Sequence, residues 1–491
     1  MRIRSKILFL ILFLNFLTQL AAQEKANPLS RLITLKMDST TVEAFLEKLV
    51  SDNELFFSYN PDLLPTGTSN FEIVNHPLGE VLKGLLPDSA YSVTLIDRQL
   101  IITRVEPKPL KVTGRVVEHD GKTPVGYAAV TIEGEYIGTM TNREGNFDLT
   151  IPYQFRNRNL SISSLGYKSR IITLKMLGTE SLVKLEDETI RLREVQVTPA
   201  DPRAILYQFR KNINSNYVDE PQLMTTFYRE TARQDGNYVG VWEAVMEILK
   251  APYKNSETDR VRFLKGRRAD LNRKPKEVFL KVQGGPLGIK YLDVVKNPET
   301  FLDPDYEYLY QYKFEQPEMI NGRLTWIISF DRVADTDFPC FNGELLIDAE
   351  TYALVQAEYS YDKKSLKING PSFIEKEPLG FDTRPENVEY SVQYRLLNGK
   401  WQFFSAHSDI IFRVKQKRKF KTEYRNVTDV LVTQQYPFPK RARFGPEGLF
   451  HEKDIFSEKI GIYDKAFWEN YNVIKPDEDL SKALKEAGQN D

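Results

Sequence analysis

Cysteine is almost absent from this chain: Cys340 is the only one in 491 residues. A single thiol cannot form an internal disulfide, so a cross-linked scaffold is excluded and packing must hold the fold together. Pro339-Cys340-Phe341 opens an apolar strand, which assigns the thiol to the interior as a packing group. Histidine is scarce too. His76, His119, His407 and His451 lie far apart, and none belongs to a His-Glu-x-x-His or similar ligand pair. No metal site and no cofactor are expected. A Gly-x-Ser-x-Gly elbow is also missing. Glu243 and Glu247 share a face in either a strand or a helix, but among 68 acidic residues they read as structural or solvated acids. No catalytic residue is assigned, and a non-enzymatic protein is expected.

Excess charge is lacking as well, with 67 basic residues against 68 acidic ones. That balance gives no general attraction to nucleic acid or to an acidic membrane surface. Long apolar runs are missing except at the start. Arg2, Arg4 and Lys6 precede a mostly apolar stretch from Ile7 to Leu20, followed by Ala21, Ala22 and polar Gln23. This order is that of a secretory signal peptide over residues 1–22, cut between Ala22 and Gln23. The run is short for a span of about 20 apolar residues, and no cysteine stands at the cut to carry a lipid. The mature chain is therefore expected in the periplasm, with no integral membrane segment and at most a peripheral place at the outer membrane.

What is abundant is aromatic: 25 Tyr and 29 Phe favour sheets. A mainly β, multi-domain chain is expected. Residues 31–105 read as a small α/β module. Leu32 to Met37 alternates like a strand, and Thr40 with Glu43 forms a capping box. Val42, Phe45, Leu46 and Leu49 then share a helix face. Strands follow at Leu55–Tyr59 and Phe71–Val74. Asn75-His76-Pro77 caps a second helix, with Pro at a first-turn position, and Tyr91–Ile96 with Gln99–Arg104 makes a hairpin. The run ITLKMDSTTVEAFLEKLVSDNELFFSYNPDLL, with NHPLGEVLKGLL behind it, resembles the short N-terminal domain of secretins and TonB-dependent transducers. That resemblance implies a periplasmic module that docks protein partners at the cell envelope.

Glu106-Pro-Lys-Pro109 reads as a stiff linker. From 110 to 190 short strands alternate with turns such as His119-Asp120-Gly121 and Thr141-Asn142-Arg143-Glu144-Gly145, which indicates a β-sandwich. GRVVEHDGKTPVGYAAVTIEG, TNREGNF and LGYKS resemble the carboxypeptidase-regulatory-like domain found at the front of many Bacteroidetes outer-membrane proteins. Asn142 departs from that family, which usually has Asp there; either suits the turn. The family's sandwich is accessory and implies no zinc site.

Residues 196–491 read as a large, curved antiparallel sheet with flanking helices. Asp201-Pro202 starts a helix whose face is Ile205, Leu206, Phe209 and Ile213. Asn321-Gly322, Asn342-Gly343 and Asn398-Gly399 are hairpin signals. The roughly 290 residues here are too few for a plug and a barrel of about 22 strands, and the polar end LSKALKE does not close a smaller one. The hairpins and GELLIDAETYALVQAEYSY are similar to periplasmic lipoprotein-carrier half-barrels, while FYRE, VWEAVMEI and FWENYNVIKPDEDL resemble the tail of exported Bacteroidetes proteins that carry the sandwich without a transporter barrel. Arg413, Lys415, Lys417, Lys419 and Lys421 fall on one side of a strand. They form either an electrostatic patch for lipopolysaccharide phosphates or an acidic partner, or an edge strand protected from aggregation by lysine. Lys265-Gly266-Arg267-Arg268 with Arg273, Lys274 and Lys276 reads as a basic loop.

The reading is a binding and scaffolding protein of the cell envelope. A lipid or lipoprotein carrier and an outer-membrane transporter component are the alternatives. Osmotic shock is expected to release the processed protein, beginning at Gln23, without detergent. Retention in the membrane fraction until detergent is added would contradict this.

Overall fold

The computed structural model describes residues 28–487 apart from short segments, the longest being 175–180, 189–200, 272–287 and 374–380. The export signal with its Ala22–Gln23 cut lies outside the described residues, as do Lys417, Lys419, Arg273, Lys274 and Lys276. The chain forms two units, 1–108 and 109–491, which meet inside the stretch read as a linker.

In the first unit the elements run β1 (Leu32–Thr41), α1 (Val42–Asn53), β2 (Phe56–Ser58), β3 (Thr68–Pro77), α2 (Leu78–Leu85), β4 (Tyr91–Ile96) and β5 (Gln99–Arg104). This is the expected order. β1 pairs antiparallel with β3, and β5 takes β4 antiparallel and β2 parallel. Phe45, Leu46 and Leu49 of α1 and Leu78 and Leu82 of α2 are buried together with Leu100 and Ile102. Their three- and four-residue spacing brings them onto one side of each helix. Two caps differ from expectation. Thr41 rather than Thr40 accepts from the Ala44 amide, at 3.2 Å, because the strand continues through Thr40. Pro77 stands at the cap of α2, paired with Leu32 in the sheet, not inside the first turn.

The second unit begins with a sandwich made of β6 (Leu110–Glu118), β7 (Ala129–Ile132), β8 (Gly138–Met140), β9 (Asn146–Ile151), β10 (Asn159–Ser163), β11 (Arg170–Thr173) and β12 (Ser181–Leu185). One sheet runs β11-β10-β7-β8 and the other β12-β6-β9. Alternate residues of β9 and β10, such as Phe147, Leu149, Leu160 and Ile162, meet Val116 and Val130 in its core.

Then come α3 (Pro202–Asn216), β13 (Gln222–Gln234), β14 (Asn237–Lys250), β15 (Arg260–Asp270), α4 (Ile289–Leu292), β16 (Tyr310–Phe314), β17 (Glu318–Ile320), β18 (Arg323–Arg332), β19 (Phe341–Asp348) and β20 (Leu354–Tyr361). α5 (Lys363–Asn369), β21 (Phe381–Leu397), β22 (Lys400–Gln416), β23 (Lys421–Pro437), β24 (Gly461–Ile462) and α6 (Glu478–Glu486) complete it. The strands form one sheet in the order β16-β18-β19-β20-β21-β22-β23-β13-β14-β15-β24, with β17 beside β18. Among the described residues, β24 is the one strand of this sheet that pairs parallel. The order does not close into a barrel.

Turn chemistry explains two of the expected hairpins. Asn321 and Gly322 have φ of 52° and 74°, and Asn398 and Gly399 51° and 76°, the left-handed pairs that a primed turn needs. Asn342-Gly343 is different, because it lies inside β19. Its glycine serves close approach: a Cβ there would lie 2.0 Å from the Glu358 carbonyl oxygen.

The basic stretches also differ from expectation. β22 runs between β21 and β23, so Arg413 and Lys415 are not on an edge strand. Arg413 pairs with Glu386 at 2.5 Å, and Lys415 stands opposite Lys421. Lys265 to Arg268 are part of β15, not a loop.

One face of the big sheet is filled. Ile205, Leu206 and Phe209 of α3, with Val294, Phe301 and Leu302, pack onto Tyr228, Met246, Ile328, Leu345 and Val392. Cys340 is fully buried in this core, as its sequence context implied.

Candidate functional site

The other face carries a polar row. Because side chains alternate across a strand, residues paired in register share a face. Starting from Ser329 of β18, the paired positions are Glu344, Glu358, Ser391, His407, Asp429, Arg229, Glu243 and Arg267. Each neighbouring strand from β18 to β15 contributes one polar or charged residue to this line.

The two halves of the row differ in charge balance. From His407 onward every charge is matched. The His407 ring Nδ1 lies 2.8 Å from Asp429 Oδ1. Glu243 accepts from Arg229 Nε at 2.7 Å and from Arg267 Nε at 2.5 Å, all three buried. Burial pushes the Glu243 carboxyl up, but Arg267 and Arg229 outweigh it and hold the group below its ordinary value. Burial likewise draws His407 down, and the bond to Asp429 more than reverses this, so its pKa is raised.

The first half is uncompensated. Glu344 and Glu358 stand directly opposite each other, an arrangement of like charges that costs stability. Burial first, then Glu358, Glu315 and Glu318, push the Glu344 carboxyl up. Glu358 accepts only a neutral bond, from Gln356 Nε2 at 2.6 Å, and no cation pairs with Glu344 among the described residues.

The sandwich arches over this row. On one side Tyr136 accepts from the Gln435 amide at 3.1 Å, and its hydroxyl accepts from Gln402 Nε2 at 2.6 Å. Met140 packs there with Phe227, Phe404, Leu431 and Ile474. On the other side Ser169 Oγ bonds Asn321 Oδ1 at 2.8 Å, at the β17–β18 turn. Between these supports the strands β19, β20 and β21 are left uncovered. The result is a cleft of about 930 Å³ with Glu344, Glu358, Ser391 and His407 in its floor and Ser161 and Ser163 of β10 in its roof. Its volume lies within the range of about 300–1,000 Å³ usual for ligand pockets.

The chain's last segment fixes the arch in place. Arg229 donates to the Ile474 carbonyl at 2.5 Å from the matched half of the row. Asn472 exchanges two bonds with Thr150, and Thr139 Oγ1 donates to the Val473 carbonyl at 2.9 Å. Asn142 Oδ1 closes its own turn by accepting from Asn146, while Nδ2 donates to the Pro476 carbonyl at 3.0 Å. An Asp would make the turn bond but not the second one, since a carboxylate has no N–H. Here the departure at Asn142 has a structural reason.

The residues singled out by sequence are mostly elsewhere. Glu247 is matched by Arg262, as Glu243 is by its two arginines, so these carboxylates are ion-pair partners. His407 alone of the histidines lines the cleft. No group of three metal-binding side chains occurs among the described residues. Ser391, His407 and Asp429 are cross-strand neighbours, but Ser391 makes no hydrogen bond to the ring among the described residues. The amides around it lie in the sheet plane, committed to the ladder. What the cleft offers is mixed recognition: carboxylates, serine hydroxyls and, at one end, Arg395, set among apolar and aromatic residues such as Ile171, Tyr390 and Trp401. Sequence reasoning missed Glu344, Glu358 and Arg395 because only the register brings them together.

These features define a β-sandwich seated on an open antiparallel sheet, with a cleft between the two. Residues 112–197 match the CarboxypepD_reg-like domain family, in agreement with the sandwich. No curated protein matches the chain. Among solved structures, the chain is similar to a DUF1329 family protein from Desulfovibrio piger, at 12% identity over 50% of this chain and 96% of that one, with a TM-score of 0.22. It is also similar to MucB in complex with MucA(peri), at 12% identity over 49% and 100%, TM-score 0.17. A third likeness is to lipovitellin, at 10% identity over 46% and 26%, TM-score 0.21.

The grip on the last segment is testable. Asn142→Asp is expected to lower stability by about 1–3 kcal/mol, since it leaves the half-buried Pro476 carbonyl without its donor. Urea denaturation of the variant with an unchanged midpoint would show that the segment is not held this way.

Proposed function

We propose that this is an exported, non-enzymatic binding protein of the cell envelope, whose first unit docks a protein partner and whose cleft between sandwich and sheet holds a polar ligand. The single observation behind this is the cleft itself. It is roomy, and it is supported from both sides by named bonds. Its floor carries Glu344 and Glu358, with which no cation pairs among the described residues. Two carboxylates facing each other on one sheet face repel, and a cationic group on a bound ligand relieves that repulsion.

The export reading rests on the apolar first residues of the sequence, and the docking role on the resemblance of residues 31–105. Exposed Phe56 and Val74 in that unit add apolar surface for a partner. An acyl-chain carrier is less well supported. The sheet face suited to lipid is occupied by α3 and the segment around Phe301, while the open cleft sets Glu344 and Glu358 among apolar residues such as Leu165, Ile171, Ile320 and Leu396. A barrel transporter is disfavoured by a sheet whose order leaves β16 and β24 at the ends.

A thermal-shift panel of free amino acids, short peptides, mono- and disaccharides and polyamines tests this. At least one compound is expected to raise the melting temperature of the wild type and of Ser391→Ala but not of Ser391→Trp, whose indole obstructs the cleft floor beside Glu358. A shift retained in Ser391→Trp, or none with any compound, defeats the reading.

A further inference from the structure

The cleft contains a second uncompensated charge, opposite in sign to the first. Arg395 lies on β21 four residues beyond Ser391, on the same face, and lines the same cleft. Its guanidinium sits 4.8 Å from the centre of the Phe404 ring. Arg395 is half-buried, and no carboxylate pairs with it among the described residues, whereas the buried Arg229 and Arg267 both pair with Glu243. Arg229, Arg267 and Arg323 show what a compensated arginine looks like here, each bonded to Glu243 or Asp348. Burial brings the Arg395 guanidinium down to about 10, and only Tyr136 opposes this. A guanidinium in such a setting is prepared for an anion that the chain itself does not provide.

Two complementary binding poles thus share one cavity. Glu344 and Glu358 form a negative pole, directly opposite each other across β19 and β20. Arg395 forms a positive pole. Four residues of strand separate its row from theirs, so the backbone positions are about 14 Å apart at roughly 3.3 Å per residue and one strand spacing. An isolated cation would leave Arg395 unmatched, and an isolated anion would leave the glutamates unmatched. A ligand that carries an ammonium at one end and a carboxylate at the other satisfies both. An extended peptide spans up to about 3.5 Å per residue, so about four residues cover the distance.

We propose that the cleft binds a short peptide with free termini, its ammonium over Glu344 and Glu358 and its carboxylate on Arg395. The serines of the floor and roof then face the peptide's own amides and carbonyls. This rests on the binding-cleft reading above and specifies the ligand for it.

The test is calorimetric titration of the full mature chain with tetra-alanine, with its N-acetylated form, with its C-terminal amide and with spermidine. Tetra-alanine is expected to bind, and capping either end to weaken it by roughly 10-fold or more, the loss of one charge-assisted contact. Arg395→Gln is expected to bind the free peptide and its amide equally. Glu358→Gln is expected to narrow the gap between the free and acetylated forms in the same way, while each variant keeps its sensitivity at the other end. Circular dichroism melts show whether each variant is folded. Equal binding of free and capped peptides, tighter binding of spermidine than of tetra-alanine, or no peptide binding up to about 10 mM overturns the proposal. If another compound class shifts the wild type but not Ser391→Trp, the cleft reading survives and only the peptide assignment falls.

Discussion

A single line of cross-strand neighbours organises the second unit. From Ser329 to Arg267 the register places one polar or charged residue per strand on the face that the sandwich covers. Taking such groups out of water is unfavourable unless each finds a partner. In the half around Glu243 they do, and the match is good enough to depress that carboxyl in spite of its burial. The other half, where Glu344 and Glu358 stay exposed, has no such match, and Glu344 is raised instead. The chain closes the matched half with its last segment and leaves the unmatched half open beneath the arch. Solidity and vacancy thus have one physical origin.

The same row explains why the sandwich and the sheet share one unit. Arg229 serves both, since it completes the buried ion triad and bonds the Ile474 carbonyl. The segment from Asn472 to Asp479 then touches the sandwich at Thr139, Asn142, Arg143 and Thr150. Its final helix, α6, buries Leu480 and Leu484 against Val241 and Ala269 of the sheet. A sequence segment that reads as a polar tail is in fact a strap between two layers. The double use of Asn142, as turn former and as donor to that strap, links a local signal to a contact more than 300 residues away.

Local signals were read well and distant ones were not. The elements of residues 31–105, the sandwich, the buried Cys340 and the hairpins at Asn321-Gly322 and Asn398-Gly399 follow from alternation, apolar spacing and left-handed turn residues, which act over a few positions. Asn342-Gly343 carries the same two letters, yet the glycine answers to the Glu358 backbone on the next strand. Sequence cannot separate the two uses. The pairing of β13 with β23 joins residues about two hundred positions apart, and the row depends on that joint. For the same reason Arg413 and Lys415 looked like an edge and Arg267 like a loop, whereas both belong to interior strands. The candidate site was therefore invisible one strand at a time.

The central claim is that one row of charges is divided into a compensated half and an uncompensated half. Carboxyl-detected NMR titration of selectively labelled glutamates measures this directly. The account predicts that Glu344 titrates above the ordinary glutamate value and Glu243 below it, in the same molecule and without ligand. Ordinary values for both, or the reverse order, would contradict it.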